Sequence, residues 1–371
     1  MISDVFRGGV DLVSVPILAG GDGAPTRPRE HFISARSVGD PDFGSLFAGL
    51  AATVEQKKAA VLAMTILGGC GLQAQGLRAL RDVFGRLEWP VTWVGEPGCP
   101  LTGVQVHAVS GAKVEPLFSN GLAVGSGFED TDATYCVLGG ISADPSLPRP
   151  LQTRQVFEAM ESVLRQADMD FSQVFRTWLF IDRILDWYPA FNAVRTGFFE
   201  DLALALGSVP ASTGIGLANP LESALVAGAL ALRPKSPSAR VQRVFSPLQC
   251  PATDYRSSFS RAVEVALPAC RKLFVSGTAS IDAEGKTAHT GDIQGQIAQT
   301  MEVVQAILES RRMSWSNVTR AIAYVTHPDI VARFEEYCAT RRLPRFPFTA
   351  TQAAICRGDL LFEIEVDAVA A

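Results

Sequence analysis

The residue types best suited to chemistry gather near the C-terminus: Cys356, Arg357, Asp359, Glu363, Glu365 and Asp367. A thiol, a guanidinium and several carboxylates so close together could supply a nucleophile, an anion grip and general acid–base groups. Read as a strand, this segment puts Glu363, Glu365 and Asp367 on one face and Phe362, Ile364 and Val366 on the other. The acidic face is then either a reactive wall or the solvated side of an amphipathic strand. Cys356 has no His near it in sequence, so it reads as a pocket-shaping or simply buried thiol rather than a nucleophile. Arg357 either grips a ligand carboxylate or pairs with Asp359 at a turn, and the turn is the simpler reading.

The elements that must position these residues recur along the chain. An offset of 144 residues carries Gln155, Glu158, Met169, Ser172, Val174 and Arg176 onto Gln299, Glu302, Met313, Ser316, Val318 and Arg320. Both segments have helical apolar spacing, with Phe157, Met160 and Leu164 in one and Ile297, Met301, Val304 and Leu308 in the other. Strands follow at 175–181 and 319–325, then second helices at 188–206 and 328–341. Pro210 and Pro347 open further strands, where a missing N–H costs little. From these prolines the offset becomes 137, which carries Ala231 onto Ala368 and Val226 onto Glu363. Segments 135–141 and 273–279 supply a matching strand before each first helix.

A shorter third copy is read at the N-terminus, with helices at 43–58 and 76–87, a strand at 59–67, closing strands at 89–91 and 103–109, and a curtailed opening hairpin. Gly103 then occupies the place of Glu363, so one copy alone keeps the carboxylate. The expected domains are 1–113, 114–233 and 240–371, with a Pro/Ser linker at 233–239.

A chain of 371 residues, 47% hydrophobic and 19% charged, is long enough for several cores. The net charge of −5 and the lack of a long Lys/Arg block argue against nucleic acid as a partner. Seven scattered Cys without a Cys-x-x-Cys pair, four dispersed His, and no basic leader or long apolar run predict a cytoplasmic protein with no metal site. Gly277 and Gly291 stand alone, which is too little for a phosphate loop.

The motifs Ser276-Gly277-Thr278-Ala279-Ser280-Ile281, His289-Thr290-Gly291-Asp292, Gln296, and Cys356-Arg357 through Glu363 and Glu365 are similar to the C-terminal half of the chorismatases. These belong to the Rid superfamily, also called YjgF or endoribonuclease L-PSP-like. Arg176-Thr177-Trp178, Phe191-Asn192-Ala193-Val194-Arg195 and Pro210-Ala211-Ser212-Thr213 resemble a plain Rid domain. The resemblance implies an α+β fold of tandem Bacillus chorismate mutase-like domains, an intramolecular pseudo-trimer with mixed sheets inside and helices outside. It places pockets between neighbouring units and implies a monomer, or a dimer of such chains.

The resemblance makes Glu363, seven residues after a pocket Cys356, the catalytic acid. Its pKa would be raised in an apolar pocket. Arg195 and Arg261 are the anion-binding candidates, and Cys356, Ser260, Thr278 and Thr349 are further substrate-binding candidates, with Ser258 and Ser276 as other hydroxyls. Arg176 and Arg320 recur without the Glu and are read as architectural. Imine-deaminating Rid proteins carry an Arg where this chain has Ser212 and Thr349, so their bidentate carboxylate grip is missing here. Chorismatases usually carry Gly-His where this chain has Asp282-Ala283-Glu284-Gly285.

The function expected is Glu-assisted protonation and hydrolysis of a carboxylate-bearing enol ether, enamine or imine metabolite, with no metal or organic cofactor. The alternative is a non-catalytic, metabolite-binding Rid-family protein. A ribonuclease is disfavoured by the acidic balance and the lack of a paired His set.

Overall fold

In the computed structural model, residues 2–6, 10–16, 28–37, 42–201, 209–255 and 257–371 are described. The first unit runs β1 (Ile2–Phe6), β2 (Val10–Pro16), β3 (Arg29–Arg36), α1 (Phe43–Gln56), β4 (Ala59–Leu67), α2 (Gln73–Phe84), β5 (Val91–Val94) and β6 (Gly103–Ser110). The second runs β7 (Val114–Ser119), β8 (Leu122–Glu129), β9 (Ala133–Ser142), α3 (Arg149–Arg165), β10 (Val174–Ile181), α4 (Ile184–Asp201), β11 (Ala211–Ile215) and β12 (Leu225–Pro234). The third runs β13 (Arg240–Val244), β14 (Ala262–Ala266), β15 (Arg271–Ala279), α5 (Ile293–Ser310), β16 (Val318–Val325), α6 (Ile330–Thr340), β17 (Thr349–Gln352) and β18 (Phe362–Ala370).

Each unit builds one six-stranded mixed sheet in the same spatial order: β1-β2-β3-β6-β4-β5, β7-β8-β9-β12-β10-β11 and β13-β14-β15-β18-β16-β17. The repetition extends to a bulge. Register shifts fall between Val61 and Ala63, Val174 and Arg176, and Val318 and Arg320. Aligning these bulges places Glu363, Val226 and Gly103 at equivalent positions, paired with Tyr324, Phe180 and Leu67.

One sheet face is covered by the helices of its own unit. In α3, Val156, Phe157, Met160, Val163 and Leu164 are buried, and in α5 Ile297, Met301, Val304 and Leu308 pack beneath β18. Fully burying each such side chain contributes about 1.5–3 kcal/mol. Asp292 caps α5 by accepting from the Gln294 and Gly295 amides at 3.1 Å.

The second face of each sheet meets the other two units. Strands β4 and β5 contact β9, β11 contacts β15, and β17 contacts β3 and β6, so equivalent edges join head to tail in a closed ring. Apolar residues from all three units meet at its centre, including Leu67, Val94, Phe180, Ile215, Ile322 and Tyr324. Backbone pairing also crosses the seams, with Gly216 and Ala354 exchanging hydrogen bonds of 2.7 and 3.0 Å.

Three sequence expectations change. The opening of the first unit is a three-stranded meander, paired β1 to β2 and β2 to β3, rather than a curtailed hairpin. Strands β2 and β3 are buried along nearly their whole length, so they lack the alternation that marks a half-buried strand. Arg233 and Pro234 belong to β12, so the linker shortens to a turn before Arg240. The second helices begin earlier than expected at Ile184 and Gln73, and the expected continuation of α4 to residue 206 lies outside the described residues.

Candidate active site

Strand β18 is buried on both faces. Phe362, Ile364 and Val366 enter the core under α5, while Glu363, Glu365 and Asp367 are only 4%, 1% and 4% exposed. The acidic face is therefore not solvated, because the ring of units turns it inward. Carboxylates tolerate such burial when paired or neutral. Glu365 takes the paired solution. It accepts hydrogen bonds from Arg176 at 2.9 Å, Arg320 at 2.5 Å and the Trp178 indole at 2.8 Å. Burial would raise its pKa, but the two guanidiniums outweigh it and hold the group below its ordinary value.

Glu363 takes the other solution. Its carboxyl reaches the floor of a cavity of about 830 Å³ at the seam between the second and third units, a size suited to a small metabolite. Burial pushes its pKa up to about 8; the Glu365 charge adds to this, while Arg176 and Arg261 oppose it. Room for the carboxyl exists because residue 277 is Gly: a Cβ there would lie 2.1 Å from Glu363 Oε1. Gly277→Ala should displace the carboxyl while sparing the fold. A crystal structure and a melting curve of the variant would show this, and an unmoved carboxyl would contradict the packing.

Helix α4 forms one wall. Tyr188, Asn192, Arg195 and Thr196 face the cavity, Arg195 donates to Asn192 at 2.6 Å, and its guanidinium lies over the Phe191 and Phe259 rings at 5.3 and 5.7 Å. The third unit supplies Arg261, whose Nε donates to the Cys250 carbonyl at 3.0 Å and whose guanidinium stacks on Phe259, together with Ser257, Ser258, Cys356 and Arg357. Burial pushes the Cys356 thiol up to about 12, with the Glu363 carboxyl adding. A thiol so rarely ionised is a poor nucleophile. Cys356 should thus resist iodoacetamide at pH 8 in the folded protein, and rapid site-specific alkylation read by mass spectrometry would refute that.

Of the residues singled out from the sequence, Glu363, Cys356, Arg195 and Arg261 converge on this cavity. Ser260, Thr278 and Thr349 do not line it. Ser260 donates to the Val209 carbonyl at 2.5 Å and Thr278 to the Ser276 carbonyl at 2.9 Å, which turns both hydroxyls into backbone ties. Thr349 sits at the seam with the first unit, where it accepts from Gln105 at 3.1 Å and fills the space left by Gly103. Tyr188 and Phe259 also line the cavity but belong to none of the sequence motifs for the site. The helical spacing of Tyr188 with Asn192 and Arg195 marks one face and could have revealed the former.

Residues 252–370 match the family model described as endoribonuclease L-PSP. The match covers most of the third unit. A 3-hydroxybenzoate synthase from Streptomyces hygroscopicus is 27% identical over 240 residues, covering 57% of this chain and 68% of that protein. A crystal structure of a chorismatase superposes with a TM-score of 0.65 at 19% identity, covering 92% of this chain and 98% of that one. The YjgF gene product of E. coli gives a TM-score of 0.30 at 16% identity, covering 35% of this chain and 99% of that one. The third unit carries the carboxyl and about half of the cavity lining, and the second unit supplies the rest through α4 and β11.

Proposed function

We propose that the chain is a chorismatase-like enzyme in which Glu363 is the general acid for hydrolysis of a carboxylate-bearing enol ether or related enamine or imine metabolite. The observation that carries this reading is a protonatable carboxyl, poised near pH 8 by burial, on the floor of a cavity lined by Arg195, Arg261 and Arg357. A group whose pKa lies near the working pH is best suited to general acid catalysis.

In this scheme the guanidiniums hold the substrate carboxylates. Glu363 delivers its proton to the terminal carbon of the enol ether, and water adds to the resulting oxocarbenium carbon. The hemiketal collapses as its C–O bond breaks, releasing a keto acid and an alcohol, while solvent restores the proton to Glu363. Cys356 and Phe259 shape the pocket. The repeats 1–113, 114–233 and 240–371 act as one assembly, with chemistry in the seam beside the third.

Chorismate is the first probe, since the relative noted above is named for making 3-hydroxybenzoate and the superposed fold is a chorismatase. The test is release of pyruvate and of the dihydroxycyclohexadiene carboxylate that hydrolysis leaves, alongside thermal shifts with chorismate, 2-keto acids and aromatic carboxylates. A ligand at 100 times its Kd stabilises by about 2.7 kcal/mol. Binding without turnover of any enol ether would leave a metabolite-binding protein in place of an enzyme.

A further inference from the structure

Glu363 shares its strand face with a buried polar network that reaches all three units. Gln105 of the first unit accepts from Arg320 Nε at 2.7 Å, and Arg320 donates onward to Glu365 at 2.5 Å and Asp367 at 2.9 Å. On the other side of Glu365, Arg176 donates to it at 2.9 Å and to Thr213 Oγ1 at 2.7 Å. Thr213 Oγ1 also accepts the Gly277 amide at 3.1 Å. Gly277 is the residue against which the Glu363 carboxyl rests.

We infer that Glu365 is a positioning residue for Glu363: clamped between Arg176 and Arg320, it fixes both the charge facing the acid and, through Thr213, the backbone supporting it. The inference rests on reading Glu363 as the acid. The equivalent positions, Gly228 and Gln105, carry no charge in the two units that lack the acid. Arg176 and Arg320 are 0% and 13% exposed in their side chains and Glu365 is 1% exposed, so water screens this clamp little.

Other charged or titratable groups face Glu363 from several elements. They are Arg176 on β10, Tyr324 on β16, Arg261 just before β14, Tyr188, Arg195 and Glu200 on α4, and Cys356 and Arg357 before β18. Among those acting on its ionisation, Glu365 favours the neutral acid, while Arg176 and Arg261 favour the carboxylate. Neutralising Glu365 removes the repulsion and leaves Arg176 acting on Glu363 uncompensated.

Difference infrared titration of protein labelled with 13C at the glutamate carboxyls tests this, the acid band missing in Glu363→Gln being that of Glu363. The midpoint near 8 in the unaltered protein should fall by at least about one pH unit, a tenfold change in ionisation constant, in Glu365→Gln. The double variant Arg176→Gln/Glu365→Gln leaves Arg320 paired with Asp367, so the interior stays charge-balanced and folded. Its midpoint should lie above that of Glu365→Gln, because Arg176 no longer favours the carboxylate. A Glu365→Gln midpoint equal to the unaltered one overturns the positioning role; should that variant not fold, equal midpoints in the double variant and in Arg176→Gln do so. Retained turnover in Glu363→Gln overturns the catalytic reading instead, so the two failures are told apart.

Discussion

Glu363→Gln is expected to cut turnover by about 10²–10⁴-fold, the range general acid catalysis supplies, while the protein becomes more stable in alkaline solution. Both effects come from one carboxyl. Its pKa is about 8 in the folded chain against a model value of 4.5. The folded state therefore binds this proton more tightly than the unfolded state, and the associated stability is fully present below pH 4.5. It is lost as pH rises toward 8, where the buried group must ionise. Gln carries no such penalty.

Denaturation midpoints for the two proteins should converge at pH 4 and separate in favour of Glu363→Gln at pH 9. The same ionisation predicts that activity falls with an alkaline limb near pH 8 in the unaltered protein. Equal stabilities at pH 9 would mean the carboxyl is hydrated, and undiminished turnover would assign the chemistry elsewhere.

Lys272→Met should destabilise the protein by about 3–5 kcal/mol at pH 7, the cost of breaking a buried pair from one side. Lys272 on β15 contacts Glu30 on β3, pinning the third unit to the first, and both residues are 4% exposed. Glu30 also accepts from His107 at 2.9 Å. Burial alone would raise the Glu30 pKa, yet Lys272 and then His107 override it and bring the carboxyl to about 2. Its contribution is thus present above pH 4.5 and lost as pH falls toward 2.

Nearby His31 lies between Ser14 and Ser110 at 2.8 and 2.9 Å, and burial brings it down to about 4. Its contribution is present above pH 6.5 and lost between 6.5 and 4, so acid destabilisation begins at His31 and continues at Glu30. In Lys272→Met the stranded Glu30 can protonate, and the deficit should narrow on acidification. Urea unfolding at pH 7 and pH 4 measures this. A deficit below about 1 kcal/mol at pH 7, a surface-pair value, would show that the seam does not depend on the pair.

Much of the architecture is legible in local pattern. The offsets of 144 and 137 residues locate helices and strands of the second and third units to within a few positions, because apolar spacing and flanking prolines reflect each unit's own core. The same arithmetic identifies Glu363 as the carboxylate that Val226 and Gly103 replace, a match the three bulges reproduce. Burial of Glu365 and Asp367 was not legible. Alternation along β18 distinguishes two faces but does not say that the polar one meets other units instead of water.

Only the closed ring brings Arg195, from the second unit, and Arg261, from the third, to the same cavity. It also sends Thr349 to a different seam from Ser212, although both follow a strand-opening proline. Periodicity records how a segment packs against its own unit. Which seam stays open, and which closes on a threonine methyl, depends on pairs of residues from dozens to hundreds of positions apart, and such pairs leave no local trace.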